Sequence, residues 1–255
     1  MSTEVATGVA VGVMVLSNAV VGLSLLRTAF RTRRAPELLI GGGLFGMGPV
    51  SQGLTALAGT GRLPAGEVDQ LLNGLAALGS ATGMACIFGF VLVVFRPRVG
   101  WARALTALAI GTLVVASAGS VRALALAPPD APSRVVLHGW GLVILAAFTL
   151  AFGWAALESG SYYLRARKRI RLGLIDAAVM NRFLLWAVAS GSAFGLGVCL
   201  LRFQLEGQQL SGNLVPSLLI MSVSVVTGVS MYLAFLPPRA YLAWVQRRAT
   251  APSAP

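Results

Sequence analysis

Long apolar runs separated by short gaps constrain this chain of 255 residues more than any other feature of its sequence. A helix needs about 20 apolar residues to cross the hydrocarbon core of a bilayer. Seven such runs occur, at residues 5–26, 37–59, 70–95, 104–126, 135–158, 179–202 and 214–236. With 56% hydrophobic residues and a mean hydropathy of +0.80, a water-soluble globule is excluded. The sequence therefore predicts an all-α, polytopic membrane protein with seven transmembrane helices.

The net charge of +12 comes from basic residues that cluster in alternate gaps. Sixteen of the 20 Lys and Arg residues lie in or directly beside the first, third and fifth gaps and in the C-terminal stretch: Arg27, Arg31, Arg33, Arg34, Arg96, Arg98, Arg103, Arg165, Arg167, Lys168, Arg169, Arg171, Arg182, Arg239, Arg247 and Arg248. The remaining segments hold only Arg62, Arg122, Arg134 and Arg202. Because basic loops stay on the cytoplasmic side, this pattern predicts the N-terminus outside and the C-terminus inside. It is a topology signal, so no nucleic-acid partner is expected.

The organisation along the chain is that of a single membrane domain. The longest gap, residues 159–178, leaves no room for a catalytic domain outside the membrane. We expect one seven-helix domain over 1–248 and a disordered tail over 249–255, where Ala, Pro, Ser and Thr predominate. The first run lacks a basic leader and is followed by the Arg27–Arg34 cluster, which indicates a retained helix rather than a signal peptide.

The scarcity of reactive side chains argues against an enzyme. One His and two Cys cannot supply a His-rich metal site, a pair of axial haem ligands or a disulfide framework. No local signature of a nucleophile with an oxyanion hole surrounds any Ser. We therefore expect no catalytic residues, no metal site and no cofactor.

Neutral polar residues within the predicted spans are the candidates for ligand binding. No ionisable side chain lies near the centre of any span. Gly41–Gly43, Gly46 and Gly48 precede Pro49, which removes a backbone hydrogen bond and predicts a kink beside polar lining. At the predicted outer surface, Asn73 and His138 could line a pocket that opens to that side. The candidate ligand-binding residues are Asn18, Ser51, Gln52, Asn73, His138, Ser224 and Thr227.

The segment from Glu158 to Trp186 carries a second group of candidates, at the predicted cytoplasmic surface. Glu158, Tyr162 and Arg165 share one helical face, so the Tyr hydroxyl or a neighbouring Arg could satisfy the carboxylate. Asp176 stands where a helix N-cap is useful. The candidates for a docking or gating surface are Glu158, Tyr162, Arg165, Asp176, Asn181 and Arg182. Attraction of the basic residues to anionic lipid is the alternative interpretation of the same segment.

Seven helices, an external N-terminus and short loops resemble the plan of microbial rhodopsins, and more loosely that of three-plus-one-plus-three sugar transporters of the SWEET type. Rhodopsins hold retinal through a Lys in the seventh helix, whereas the only Lys here is Lys168 in a gap. Covalent retinal is therefore excluded. The sugar transporters carry a Pro-Gln pair, and here Pro49 is followed by Val-Ser-Gln.

The sequence thus favours a non-enzymatic sensor or receptor in a bacterial inner membrane. It would bind a small ligand or lipid from the outer side and signal through its basic cytoplasmic surface to a protein partner. The alternatives are a transporter of a small neutral solute and an accessory subunit of another membrane protein. At an offset of 140 residues Arg27 matches Arg167 and Pro97 matches Pro237, which suggests a parallel repeat of helices 1–3 and 5–7.

Overall fold

A computed structural model describes residues 3–60, 66–128, 131–170, 174–207 and 214–250, and within them the chain is helical apart from turns. The elements are α1 Thr3–Thr32, α2 Ala35–Phe45, a π-helix Gly46–Gly53, α3 Leu54–Ala58, α4 Glu67–Phe95, α5 Gly100–Leu126, α6 Ser133–Val136, α7 His138–Ile170, α8 Ala177–Leu205, α9 Leu214–Phe235 and α10 Arg239–Thr250. No strand occurs in these ranges. The predicted all-α class is confirmed.

Six helices of the described chain are long and apolar enough to cross a membrane: α1, α4, α5, α7, α8 and α9. They identify an integral membrane protein that crosses the bilayer several times. The second predicted span, 37–59, falls on three shorter elements in succession, namely α2, the π-helix and α3. None of those three has the length of a membrane span by itself.

The helices are arranged as a ring in chain order. The segment that begins with α2 packs between α1 and α4, then α4, α5, α7, α8 and α9 follow, and α9 returns to α1. The helix α4 also contacts α7 across the bundle, and its apolar stretch is the most buried of the six. The core of the bundle is therefore built around α4.

We call α2, the π-helix and α3 together, residues 35–58, the second helical segment. Close backbone contacts hold α4 to this segment. A Cβ on Gly46 would lie 2.9 Å from the carbonyl oxygen of Gly79, and one on Gly83 would lie 2.9 Å from that of Gly43. Gly42/Gly46 and Gly79/Gly83, two pairs with the spacing Gly-x-x-x-Gly, therefore lie where two membrane helices pack closely together. The pairs Gly8/Gly12 and Gly191/Gly195 have open space instead.

At Pro49, where the sequence predicts a kink, the chain forms a π-helix. Proline has no N–H to donate and its ring clashes with the carbonyl four residues earlier, so the regular α-helical ladder cannot continue through it. The helix widens over Gly46–Gly53, where the chain passes through Pro49 without leaving the helical path. Asn18 of α1 packs directly against Gly48 in this widened turn.

One end of the bundle carries most of the basic residues, and we call it the basic end. It comprises the ends of α1, α4 and α7, the starts of α2, α5 and α8, and α10. Side-chain contacts join these pieces: Arg96 bonds Glu158, Phe95 packs on Tyr162, and Asn181 bonds Tyr241. The charge pattern of the sequence therefore corresponds to one surface.

The helices run further than the predicted spans at the basic end. The fifth span was predicted to stop at residue 158, but α7 continues through Arg165–Arg169 to Ile170. Alanine, leucine and arginine are good helix formers, so the helix outlasts its apolar stretch. The C-terminal stretch forms α10, which reaches Thr250 and extends two residues into the segment predicted to be disordered. Residues 251–255 of that predicted tail lie outside the described residues.

Candidate functional site

The Glu158 carboxylate is the most unusual polar group in the bundle. It lies on α7, 5% exposed, and faces the interior. Its Oε1 accepts hydrogen bonds from Arg96 Nε at 2.8 Å and from Trp154 Nε1 at 3.3 Å. Its Oε2 is buried and has no hydrogen-bond partner among the described residues. An ionisable group within membrane helices is costly, which makes Glu158 the first candidate for a functional residue in the bundle.

Arg96 is the residue immediately after α4, and its side chain extends to Glu158 on α7. Its backbone N–H still donates to Leu92, which closes the last turn of the helix and directs the side chain across to α7. The hydrogen bond to Glu158, and then the negative charge of Glu158, raise the pKa of Arg96 above its ordinary value. Because its pKa is raised, Arg96 keeps its positive charge, and the stability that the pair contributes, throughout the physiological pH range.

An aromatic cluster surrounds the pair and joins four membrane helices. Trp154 packs on Phe88 of α4 and on Trp101 of α5. Phe95 packs on Tyr162 of α7 at 5.1 Å and on Phe183 of α8 at 6.1 Å. Such rings exclude water, and in a medium of low dielectric constant the attraction between Arg96 and Glu158 is strengthened.

Trp186 of α8 extends the cluster towards α9. Its ring lies 5.0 Å from Phe90 and 5.5 Å from Phe235, measured between centroids. Within the described ranges, the Nε1 of Trp186 is buried and has no hydrogen-bond partner, and the same holds for Ser190 Oγ one turn further along α8. Each unbonded buried polar atom costs about 1–3 kcal/mol. The bundle interior next to the basic end thus contains polar groups that would form additional hydrogen bonds with a polar ligand or in a different helix arrangement.

Tyr162 and Arg165 lie on the same face as Glu158, as the spacing predicted, but they interact with each other. The Arg165 guanidinium stacks over the Tyr162 ring at 4.3 Å from its centroid. Glu158 does have an Arg partner, yet that partner is Arg96 of α4 rather than a residue of its own helix. The carboxylate therefore links two helices instead of closing a local contact.

The remaining predicted residues of the basic end lie on α8 and its approach. Asp176 is the N-cap of α8, since its Oδ1 accepts the N–H of Ala178 at 2.9 Å; the predicted cap is confirmed. Asn181 donates to the Tyr241 hydroxyl at 2.8 Å and so holds α10 against α8. Arg182 is exposed. Glu158, Tyr162 and this α8 start therefore belong to one end of the molecule.

The predicted ligand-binding residues of the second helical segment lie against α1 and α4. Asn18 is half-buried beside Gly48. Ser51 and Ser80 share a hydrogen bond of 2.9 Å between their hydroxyl oxygens. Gln52, the next residue of the π-helix, is half-buried. These polar groups are thus placed at the irregular turn around Pro49.

The other predicted ligand-binding residues are elsewhere. Asn73 bonds Asp69 one turn earlier in α4, through both the carboxylate at 3.1 Å and the carbonyl at 2.9 Å. His138 is exposed at the start of α7. On α9, Ser224 donates to the carbonyl of Ile220, and Thr227 Oγ1 is buried without a partner. Among the described residues, then, only Asn18, Ser51 and Gln52 share one place, and the other four candidates lie on the starts of α4 and α7 and on α9.

Sequence reasoning missed Arg96 and Trp154 as members of the site. Arg96 was counted only as a topology signal, and nothing in the sequence connects it with a residue 62 positions away. Trp154 stands one helical turn before Glu158, so an indole donor facing the same side was recognisable from the spacing. The contact between Trp154 and Glu158 within α7 could therefore be predicted from the sequence, whereas the contact with Arg96 could not.

Compared with known protein families, with curated proteins and with solved structures, the chain matches none of them. What this protein does must accordingly be inferred from the chemistry of its own residues.

Proposed function

We propose that this protein is a seven-helix membrane sensor or receptor of the bacterial inner membrane, with its N-terminus outside, and that it is not an enzyme. In this proposal a small ligand or lipid alters the packing of the helices without a covalent chromophore or other cofactor. The change reaches a protein partner through the basic end, which faces the cytoplasm. Its residues Arg165 and Arg182 present exposed positive charge there.

One observation carries the proposal: Glu158 is buried, one of its carboxylate oxygens accepts a hydrogen bond from Arg96, and the other has no hydrogen-bond partner in the described part of the chain. A carboxylate held on one side only has a second arrangement within reach, in which the free oxygen is satisfied and the Arg96 bond is lost. The two arrangements differ in how α4 and α7 meet. A sensor requires such a pair of states, because a ligand acts only through its different affinity for each.

The seven-span topology is supported by the second helical segment. Residues 35–58 are helical throughout, and at 1.5 Å per residue they extend about 36 Å, more than the roughly 30 Å of the hydrocarbon core. The concentration of basic residues at one end supports a cytoplasmic position for that end. An odd number of spans places α10 and the N-terminus on opposite sides.

Cysteine labelling tests this topology. In a background with Cys86 and Cys199 replaced by Ala, single cysteines at Val5 and Arg247 are treated with a membrane-impermeant maleimide in oriented vesicles. We expect Val5→Cys to react from the outside and Arg247→Cys only in inverted vesicles. Reaction of both from the same side would mean an even number of spans.

The sensor proposal is tested by measuring the distance between α4 and α7. Spin labels at the exposed residues Val93 and Leu164 report this distance in lipid. We expect Arg96→Gln to populate a second distance, because it removes the bond that holds one arrangement. The matched control is Arg202→Gln, which removes an exposed Arg–Glu bond at the other end of the bundle.

An unchanged distance distribution in Arg96→Gln would show that the pair does not select between helix arrangements, and the sensor proposal would fail. The control distribution is expected to coincide with that of the native protein. If the control changes as well, the shift reports general loosening, and this outcome also contradicts the proposal.

A second function, passage of a small neutral solute, is favoured by the π-helix. Widened turns of this kind occur often at functional sites, and here the turn lies beside the Asn18 amide and the Ser51–Ser80 pair. Solute flux into vesicles that falls in both Asn18→Ala and Gln52→Leu would support transport. Native mass spectrometry of the gently purified protein separates the remaining alternative, since a stoichiometric protein partner without a bound small molecule indicates an accessory subunit.

A further inference from the structure

A long groove runs between α4 and α5 on the outer face of the bundle, away from the Glu158 site. It consists of two adjoining cavities of about 640 Å³ and 280 Å³, which share Leu78 and Val121 in their walls. Its surface is mostly apolar, with the polar residues Glu67 and Gln70 confined to the smaller cavity and Arg122 to the larger one. Volumes of this size suit small-molecule binding.

The groove exists because α4 and α5 meet through small residues without the close backbone contact seen on the other side of α4. A Cβ on Gly74 would be 3.6 Å from Leu124, an ordinary distance, whereas one on Gly83 would be 2.8 Å from the backbone of Met47. Leu78 and Val114 stand out on either side as walls. An elongated apolar ligand therefore finds space between the two helices.

Arg122 lines this groove one turn before α5 ends. It is exposed, and among the described residues it has no ion-pair or hydrogen-bond partner. A cation on an apolar wall is costly unless an anion accompanies it, and near the end of a membrane helix its long side chain reaches the headgroup region. The apolar groove and the unpaired Arg122 side chain are together complementary to an amphiphile with an anionic head group.

We propose that this groove binds a glycerophospholipid, with the phosphate on Arg122 and one acyl chain along α4 and α5. The guanidinium offers several N–H donors to phosphate oxygens, which is a strong charge-assisted arrangement. A second copy of the chain is a poorer occupant, because a symmetric contact through this face would bring two Arg122 side chains together. The proposal is independent of the sensor function.

Native mass spectrometry of the purified full-length protein tests the proposal with two probes that carry the same acyl chains, phosphatidylglycerol and diacylglycerol. We expect the native protein to retain phosphatidylglycerol about tenfold more strongly, because a hydrogen bond to a charged group is worth at least that factor. Arg122→Gln is expected to abolish the preference and keep the binding of diacylglycerol.

The apolar part of the proposal is tested by Ala118→Leu, which fills the groove at an exposed wall position. We expect this variant to bind both probes several-fold more weakly. Two matched controls are expected to bind like the native protein: Arg202→Gln at the same end of the bundle, and Ala107→Leu at an exposed position of α5 outside both cavities. Helix content and unfolding temperature verify that each variant is folded.

Three results would overturn the proposal. The native protein could retain both probes equally, which would mean that the groove holds bulk lipid without recognising the phosphate. Arg202→Gln could remove the preference as fully as Arg122→Gln, which would mean a general charge effect. A dimer that dissociates in Ala118→Leu would show that a second copy occupies the groove.

Discussion

Two Arg–Glu pairs in this protein have the same atoms at the same distance and opposite surroundings. Arg96 Nε and Glu158 Oε1 are 2.8 Å apart, and so are Arg202 Nε and Glu206 Oε1. The first pair joins α4 to α7 with side chains 36% and 6% exposed, while the second stays at the end of α8 with side chains 80% and 41% exposed. Distance alone therefore says little about what a pair does. Burial decides the cost of losing one partner.

The largest expected effect is that of Arg96→Gln on stability. The substitution leaves the Glu158 charge in the interior with only the Trp154 indole as a donor. Removing one partner of a fully buried pair costs roughly 3–5 kcal/mol, and because Arg96 is partly exposed we expect about 2 kcal/mol here. Denaturant unfolding in one detergent measures the change in the free energy of unfolding.

The second prediction concerns the double variant Arg96→Gln with Glu158→Gln. Without the carboxylate no buried charge is left behind, so the double variant should be more stable than Arg96→Gln alone by about 1 kcal/mol. The same unfolding measurement on both single variants and the double variant completes the cycle. Additive losses would mean that the two side chains stabilise the fold independently, which contradicts a functional pair.

The third prediction is a smaller loss in Trp154→Phe. Phenylalanine keeps most of the ring packing against Phe88 and Trp101 but removes the Nε1 donor to Glu158. A bond of 3.3 Å to a partly compensated carboxylate is worth about 1 kcal/mol. In the Glu158→Leu background, which offers no acceptor to the indole, the loss should shrink, and unfolding of the native protein, the two single variants and the double variant measures this. A loss of the same size in both backgrounds would assign the effect to packing alone.

The contrast between the pairs also explains what the sequence could predict. Local contacts follow from residue spacing, so the Asp176 cap was predicted. Arg96 and Glu158 belong to different helices, and their meeting depends on the order and rotation of helices in the ring. Composition and charge pattern contain no information on that rotation, since an apolar helix surface faces protein or lipid equally well.

The positions of the six long apolar helices were predictable, but their ends and irregularities were only partly so. Apolar length locates each helix, yet α7 continues twelve residues past its predicted end, because charged residues with high helix propensity prolong it. A kink was expected at Pro49, whereas a π-helix accommodates the residue. The groove beside Arg122 had no signal in the sequence, since it depends on where small residues of α4 and α5 face each other.

The smallest effect is expected for Arg202→Gln, and it gives the comparison its sharpest test. Both side chains of the Arg202–Glu206 pair meet solvent, where screening and side-chain entropy offset most of the attraction. The unfolding midpoint should therefore equal that of the native protein, in contrast to Arg96→Gln at the same bond length. Measurement at low and high salt decides the cause: a midpoint lowered only at low salt would give the exposed pair a real electrostatic role. If Arg202→Gln destabilised the protein as much as Arg96→Gln, burial would not be what distinguishes the two ends of the bundle, and the special status given to Glu158 would be lost.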